Sequence, residues 1–157
     1  MSASLHCIIQ IKTQDIHGTD IWVDAIKNSL DLWTSAVRKF FDDTQDIITP
    51  GFPNGFVVDQ NNYHDQMYMG DYGFGVISGE DFLDLDYEPK EVRSLKQEIQ
   101  PDKVVVTFYL KPGAEYDDEG GYCEDMAYEG AMRSVQNSIC TILGCEKEEF
   151  RLIVGFS

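Results

Sequence analysis

Three short apolar runs rich in β-branched and aromatic residues limit what this chain can fold into: "LHCIIQIKT" (5–13), "KVVVTFYLK" (103–111) and "FRLIVGF" (150–156). Each has the length and composition of a strand buried on at least one face. Between them lie two stretches in which apolar residues recur every three or four positions, the period of a helix facing a core. In the first, the stripe is Trp22, Ile26, Leu30, Trp33, Val37 and Phe41, broadened by Ala25, Ala36 and Phe40. Thr19 or Asp20 can cap this helix, Asp20 and Asp24 fall in its first turn, and Arg38 and Lys39 lie near its end, as the helix dipole favours. Its two tryptophans share one face and are expected in the core. The second helix is expected near 124–143, with Tyr128, Met132, Val135, Ile139 and Ile142 as its stripe and Gly144 as its terminator.

Weaker signals fill the middle. "TPGFPNG" marks turns after the first helix. "FVVD" (56–59), "QMYMG" (66–70) and "FGVIS" (74–78) suit a short β-meander. "EPKEVRSLKQEIQP" reads as a short helix, opened by Pro89, with Val92, Leu95 and Ile99 on one side and Pro101 as its stop. At both ends of the chain a strand, a loop and a long helix lead to a further strand. The expected fold is therefore a single α+β domain over residues 1–157, with a mixed or antiparallel sheet and two long helices. Its most specific form is ferredoxin-like with an inserted meander. A chain of 157 residues can bury an adequate core without disulfides, and its 43% apolar content argues against disorder.

Charge narrows the function. Twelve basic against 28 acidic residues give a formal charge of −16 and a pI near 4.3. Such a field repels phosphate backbones and anionic membranes and steers cations inward, so a basic protein partner is expected and direct nucleic-acid or membrane binding is not. The acids are concentrated. No lysine or arginine lies between Lys39 and Lys90, and none from Pro112 to Met132. The second gap holds "EYDDEGGYCEDMAYE" (115–129), with seven carboxylates and three tyrosines. Cys7, Cys123, Cys140 and Cys145 read as reduced thiols, and there is no signal-peptide pattern; a cytoplasmic protein is expected.

Motifs for chemistry are missing. As a strand, "LDLDYE" would place Asp84, Asp86 and Glu88 on one face, where they could hold a hard divalent cation. An exposed strand face opposite buried leucines accounts for the same pattern, and no metal is expected. "DQNNYHDQMYMG" begins like a calcium loop but has His64 and Gly70 at the positions that need glycine and glutamate. No cysteine–histidine spacing fits zinc. "GDYGFG" has the wrong glycine order for a dinucleotide fingerprint, lies in an acidic gap, and suits turns instead. Only His6, His17 and His64 could serve as an imidazole base, and Ser78 lacks the nucleophile-elbow spacing. Distant carboxylate pairs remain open. Neither a cofactor nor an enzymatic activity is expected.

Docking fits the composition better. Tyr116 and Tyr122 can supply flat anchors among Asp117, Asp118, Glu119, Glu124 and Asp125, and Asp84, Asp86 and Glu88 extend the negative surface. Glu124 and Asp125 also begin the second helix, which explains part of their charge. No stretch matches a family motif. As a class, a small acidic α+β protein without a catalytic signature resembles the immunity proteins that bacteria keep against nuclease-type toxins. That resemblance implies an inhibitor whose carboxylates fill a basic, phosphate-binding active site. A DNA-mimic decoy, phage-encoded for example, and a small-ligand-binding domain or motif-less enzyme are the competing expectations.

Overall fold

The computed structural model describes residues 3–27, 30, 32, 34–56, 69–87, 92–100, 103–110 and 124–157. Chain order is β1 (Leu5–Gln14), β2 (Asp20–Lys27), α1 (Thr34–Thr44), β3 (Thr49–Pro50), β4 (Tyr72–Ser78), α2 (Gly79–Asp84), β5 (Val92–Gln100), β6 (Lys103–Leu110), α3 (Glu124–Leu143), a 3-10 turn (Lys147–Glu149) and β7 (Phe150–Phe156). One sheet has five strands in the order β2-β1-β7-β4-β3, and β5 and β6 form a two-stranded ribbon. Every pairing is antiparallel. The fold is α+β, as the sequence indicates.

Period-two alternation divides the large sheet into two faces. Cys7 and Ile9 of β1, Ile77 of β4, and Phe150, Leu152, Val154 and Phe156 of β7 enter the main core. Ala36, Val37 and Phe40 of α1, and Tyr128, Met132, Val135 and Ile139 of α3, meet them there. On the opposite face Ile8, Ile153 and Met69 form a smaller cluster, joined by Phe52, Phe56, Phe74 and Val76. Close backbone approaches require glycine at several positions, Gly155 and Gly79 among them. A Cβ on Gly155 would overlap the Met69 carbonyl oxygen, and one on Gly79 would overlap the Lys147 carbonyl oxygen. α3 packs on the β5–β6 ribbon and on α1. It ends at Gly144 (φ +67°), whose N–H and that of Cys145 both donate to the Cys140 carbonyl, at 2.8 and 3.2 Å.

Three expectations change. The stretch from 20 to 27 is strand β2, and helix begins only at Thr34. "QDIHGTD" is a hairpin turn. The Asp15 carboxylate accepts from the N–H groups of His17 (2.8 Å) and Thr19 (3.0 Å), and Gly18 takes φ +78°. Asp20 and Asp24 therefore lie on a strand and contribute nothing to a helix dipole, and Trp22 leaves the helical stripe. A bulge causes the misleading period. Ile26 pairs with Ile9 but Asp24 with Gln10, so Ala25 is the extra residue, and Ile26 reaches the core face that Trp22 does not. Trp33 lies outside the described residues. Second, the segment expected as a helix around Val92, Leu95 and Ile99 is strand β5, paired from Val92↔Leu110 to Gln100↔Lys103. Third, "LDLDYE" is not a strand: Asp84 ends α2 and Asp86 follows it. The in-and-out alternation survives there, with Leu83 and Leu85 half-buried, Tyr87 buried, and Asp84 and Asp86 exposed.

β4 and β7 form where "FGVIS" and "FRLIVGF" predict them, and α3 spans 124–143 as expected. The meander segments 57–59 and 66–68 lie outside the described residues. The paired strand–helix pattern holds for β6 and α3 leading to β7, but β2 interrupts its counterpart at the start of the chain.

Candidate functional site

Two acidic runs far apart in sequence meet at one edge of the domain. α2 follows β4, the 3-10 turn precedes β7, and these neighbouring strands bring the two elements into contact through the space left by Gly79. Glu80, Asp81, Asp84 and Asp86 on one side, and Glu146, Glu148 and Glu149 on the other, are all exposed, with Lys147 the basic residue among them. Part of this charge stabilises local structure. Glu80 and Asp81 occupy the first turn of α2, and Glu149 accepts the Glu146 N–H at 2.9 Å.

The edge is held from behind. The Ser78 hydroxyl accepts the Asp81 N–H at 3.1 Å and caps α2. At the other end, buried Gln136 of α3 donates to the carbonyls of Phe82 and Leu85, both at 2.9 Å, while its own Oε1 has no partner among the described residues. Two residues further on, Tyr87 enters the core. Its hydroxyl lies 3.0 Å from that of Tyr128, which donates to Asp43 Oδ2 at 2.9 Å, and the two rings meet edge to face at 5.5 Å. The carboxylates of α2 are thus presented on a backbone fixed at both ends, which lowers the entropy cost of docking.

Burial pushes both tyrosine hydroxyls well above their ordinary value of 10, with the negative Asp43 adding to the effect. In the unfolded chain they ionise near pH 10; in the fold they stay neutral. Their contribution is therefore complete below pH 10 and is lost as the pH rises further. Stability should fall above pH 10 by about 1.4 kcal/mol per pH unit for each tyrosine. Urea unfolding between pH 9 and 11 should show a shallower fall for Tyr128→Phe than for wild type; equal slopes would refute the buried pair. Burial, then neighbouring Glu146 and Glu148, also raises the Cys140 thiol, and the same acidic turn acts on Cys145. Thiols in that field are poor nucleophiles at neutral pH.

A second feature lies on the open face of the sheet. A cleft of about 530 Å³ is bounded by Gln10, Trp22, Asp24 and Arg151 on the strands and by residues 53–56 of the loop above. β7, β1 and β2 lie side by side, so Arg151, Gln10 and Asp24 form one lateral row. Arg151 Nε donates to Gln10 Oε1 at 2.9 Å, and Gln10 Nε2 donates to Asp24 Oδ1 at 2.8 Å. The guanidinium lies 4.2 Å from the centre of the Trp22 ring, and Lys12 Nζ lies 5.4 Å from it. Burial lowers the Arg151 pKa from its usual value.

Of the residues singled out from sequence, Asp84 and Asp86 belong to the acidic edge, and Glu124 and Asp125 open α3. Tyr116, Asp117, Asp118, Glu119, Tyr122 and Glu88 lie outside the described residues. His17 is exposed in the β1–β2 turn, while His6 is part-buried with Nε2 2.9 Å from Ser157 Oγ. Among the described residues, no group of three or more His, Cys, Asp or Glu side chains could hold a metal ion, and no helix is long and apolar enough to cross a membrane. Sequence reasoning missed Glu146, Glu148 and Glu149, although "CEKEEF" is visibly acidic. It also missed the cleft, whose one signal was a lone arginine inside an apolar strand. No protein-family model matches the chain, and neither a curated protein nor a solved structure does so.

Proposed function

We propose that this protein is an acidic inhibitor that binds and neutralises a basic protein partner, of the kind an immunity protein forms with a nuclease-type toxin. The observation that carries this reading is the exposed edge where α2 and the 3-10 turn bring two acidic runs together. Carboxylates on a fixed backbone, within a chain of net charge −16, suit a surface rich in lysine and arginine. Association would be steered by charge, and affinity would then depend on how slowly the contact comes apart. Asp117, Asp118 and Glu119, with the tyrosine anchors Tyr116 and Tyr122, are further contacts proposed from the sequence alone.

The test is capture of partners from the lysate of the native host by the tagged full chain, washed across a salt series, with mass spectrometry of the eluate. One basic protein, released as ionic strength rises, is the expected result. A broad set of DNA-binding proteins would favour a DNA-mimic decoy instead. No salt-sensitive partner would overturn the docking reading.

A further inference from the structure

We propose that the cleft beside Trp22 binds a small zwitterion bearing an ammonium and a carboxylate, the chemistry of a free amino acid. Its floor holds a cation and an anion that do not pair directly. Gln10, only 5% exposed, stands between Arg151 and Asp24 and spends its amide on both. That arrangement occupies Nε of Arg151 and one oxygen of Asp24. Among the described residues, Gln10 is the one hydrogen-bond partner of the Arg151 side chain, which leaves the Nη groups for a planar acceptor. A guanidinium held over an indole ring is preorganised to take a carboxylate through two parallel hydrogen bonds. Asp24, exposed at the cleft margin, is placed to receive an ammonium.

The overall field selects among ligands. At net charge −16, an anion is repelled on approach and a simple cation meets Arg151 inside. A zwitterion carries no net charge, and the row of Arg151, Gln10 and Asp24 matches its two ends. Pro53 and Phe56 on the loop side supply an apolar wall for a side chain. The volume, about 530 Å³, falls in the range of small-molecule sites.

The experiment is a titration of the full chain followed by the NMR signals of the Trp22 indole N–H and the Arg151 Nε–H. The probes are glycine, L-leucine and L-phenylalanine, with acetate and methylammonium as half-ligands. At least one amino acid should shift both signals saturably at millimolar concentration or below, and neither half-ligand should match it. Arg151→Gln and, independently, Asp24→Asn should each weaken that binding tenfold or more. Asp24 is exposed, so its variant retains the test should Arg151→Gln fail to fold. No saturable shift with any amino acid, equal binding of acetate or methylammonium, or unchanged affinity in Asp24→Asn would each overturn the proposal.

Discussion

Replacing Asp84, Asp86 and Glu148 together with lysine is expected to leave the domain folded and to slow association with the proposed basic partner by about a hundredfold or more at low salt. All three side chains are exposed, and none contributes to the caps of α2 or of the 3-10 turn, which use Ser78, Gln136, Glu146 and Glu149. Each exchange replaces an attractive charge with a repulsive one on a backbone fixed at both ends. The neutral set Asp84→Asn, Asp86→Asn and Glu148→Gln should fall between wild type and the lysine variant. The difference should shrink as ionic strength approaches 1 M, where screening reaches only about 3 Å. Association rates with the captured partner, measured across salt, provide the check. If the folded lysine variant associated as fast as wild type, this edge would be no more than a solvated surface.

Phe40→Ala is expected to cost about 3–5 kcal/mol of stability, and Trp22→Ala much less, about 1–2 kcal/mol. Phe40 is completely buried among β7 and α1 residues, with its ring 6.4 Å from that of Phe156. Phe156 in turn meets Phe41 edge to face at 4.9 Å, so the deletion would open a cavity at an aromatic junction that α1 alone cannot refill. Trp22 is half-buried on the open face, against Arg151 and Lys12, where water can replace much of what the ring covers. One long helix from Trp22 to Phe41 would make Trp22 a core residue and Phe40 only the margin of a stripe, reversing the order. Denaturant unfolding of the two variants decides. Equal or greater loss for Trp22→Ala would contradict the strand assignment of 20–27.

That reversal shows where sequence patterns mislead. Trp22 and Ile26 are spaced by four although the bulge at Ala25 turns them to opposite faces; Leu95 and Ile99 share that spacing, which in an unbroken strand returns to one face as it does in a helix. The spacing alone cannot choose between them. In 20–27 the turn around Asp15 and Gly18 provided the missing information, because it places a second strand against β1. In 92–100 the partner strand β6 decided, through backbone bonds that no local propensity records. By contrast, α3 was legible to its ends. Its stripe holds spacings of three and four all the way from Tyr128 to Ile142, and Gly144 supplies the left-handed stop.

The candidate site divides in the same way. Sequence by itself established an α+β chain, the strands β4, β6 and β7, the extent of α3, and an acidity that favours cationic partners. These depend on composition, local period and turn chemistry, all carried by neighbours along the chain. Tertiary structure alone decided that the acidic 3-10 turn packs against the acidic helix α2, and that Arg151, Gln10 and Asp24 form one row. Those arrangements follow from strand order and register, which are set by pairings between residues as far apart as 5 and 156. Backbone hydrogen bonds are the same at every register, so the choice among registers rests on which side chains the whole core can bury together.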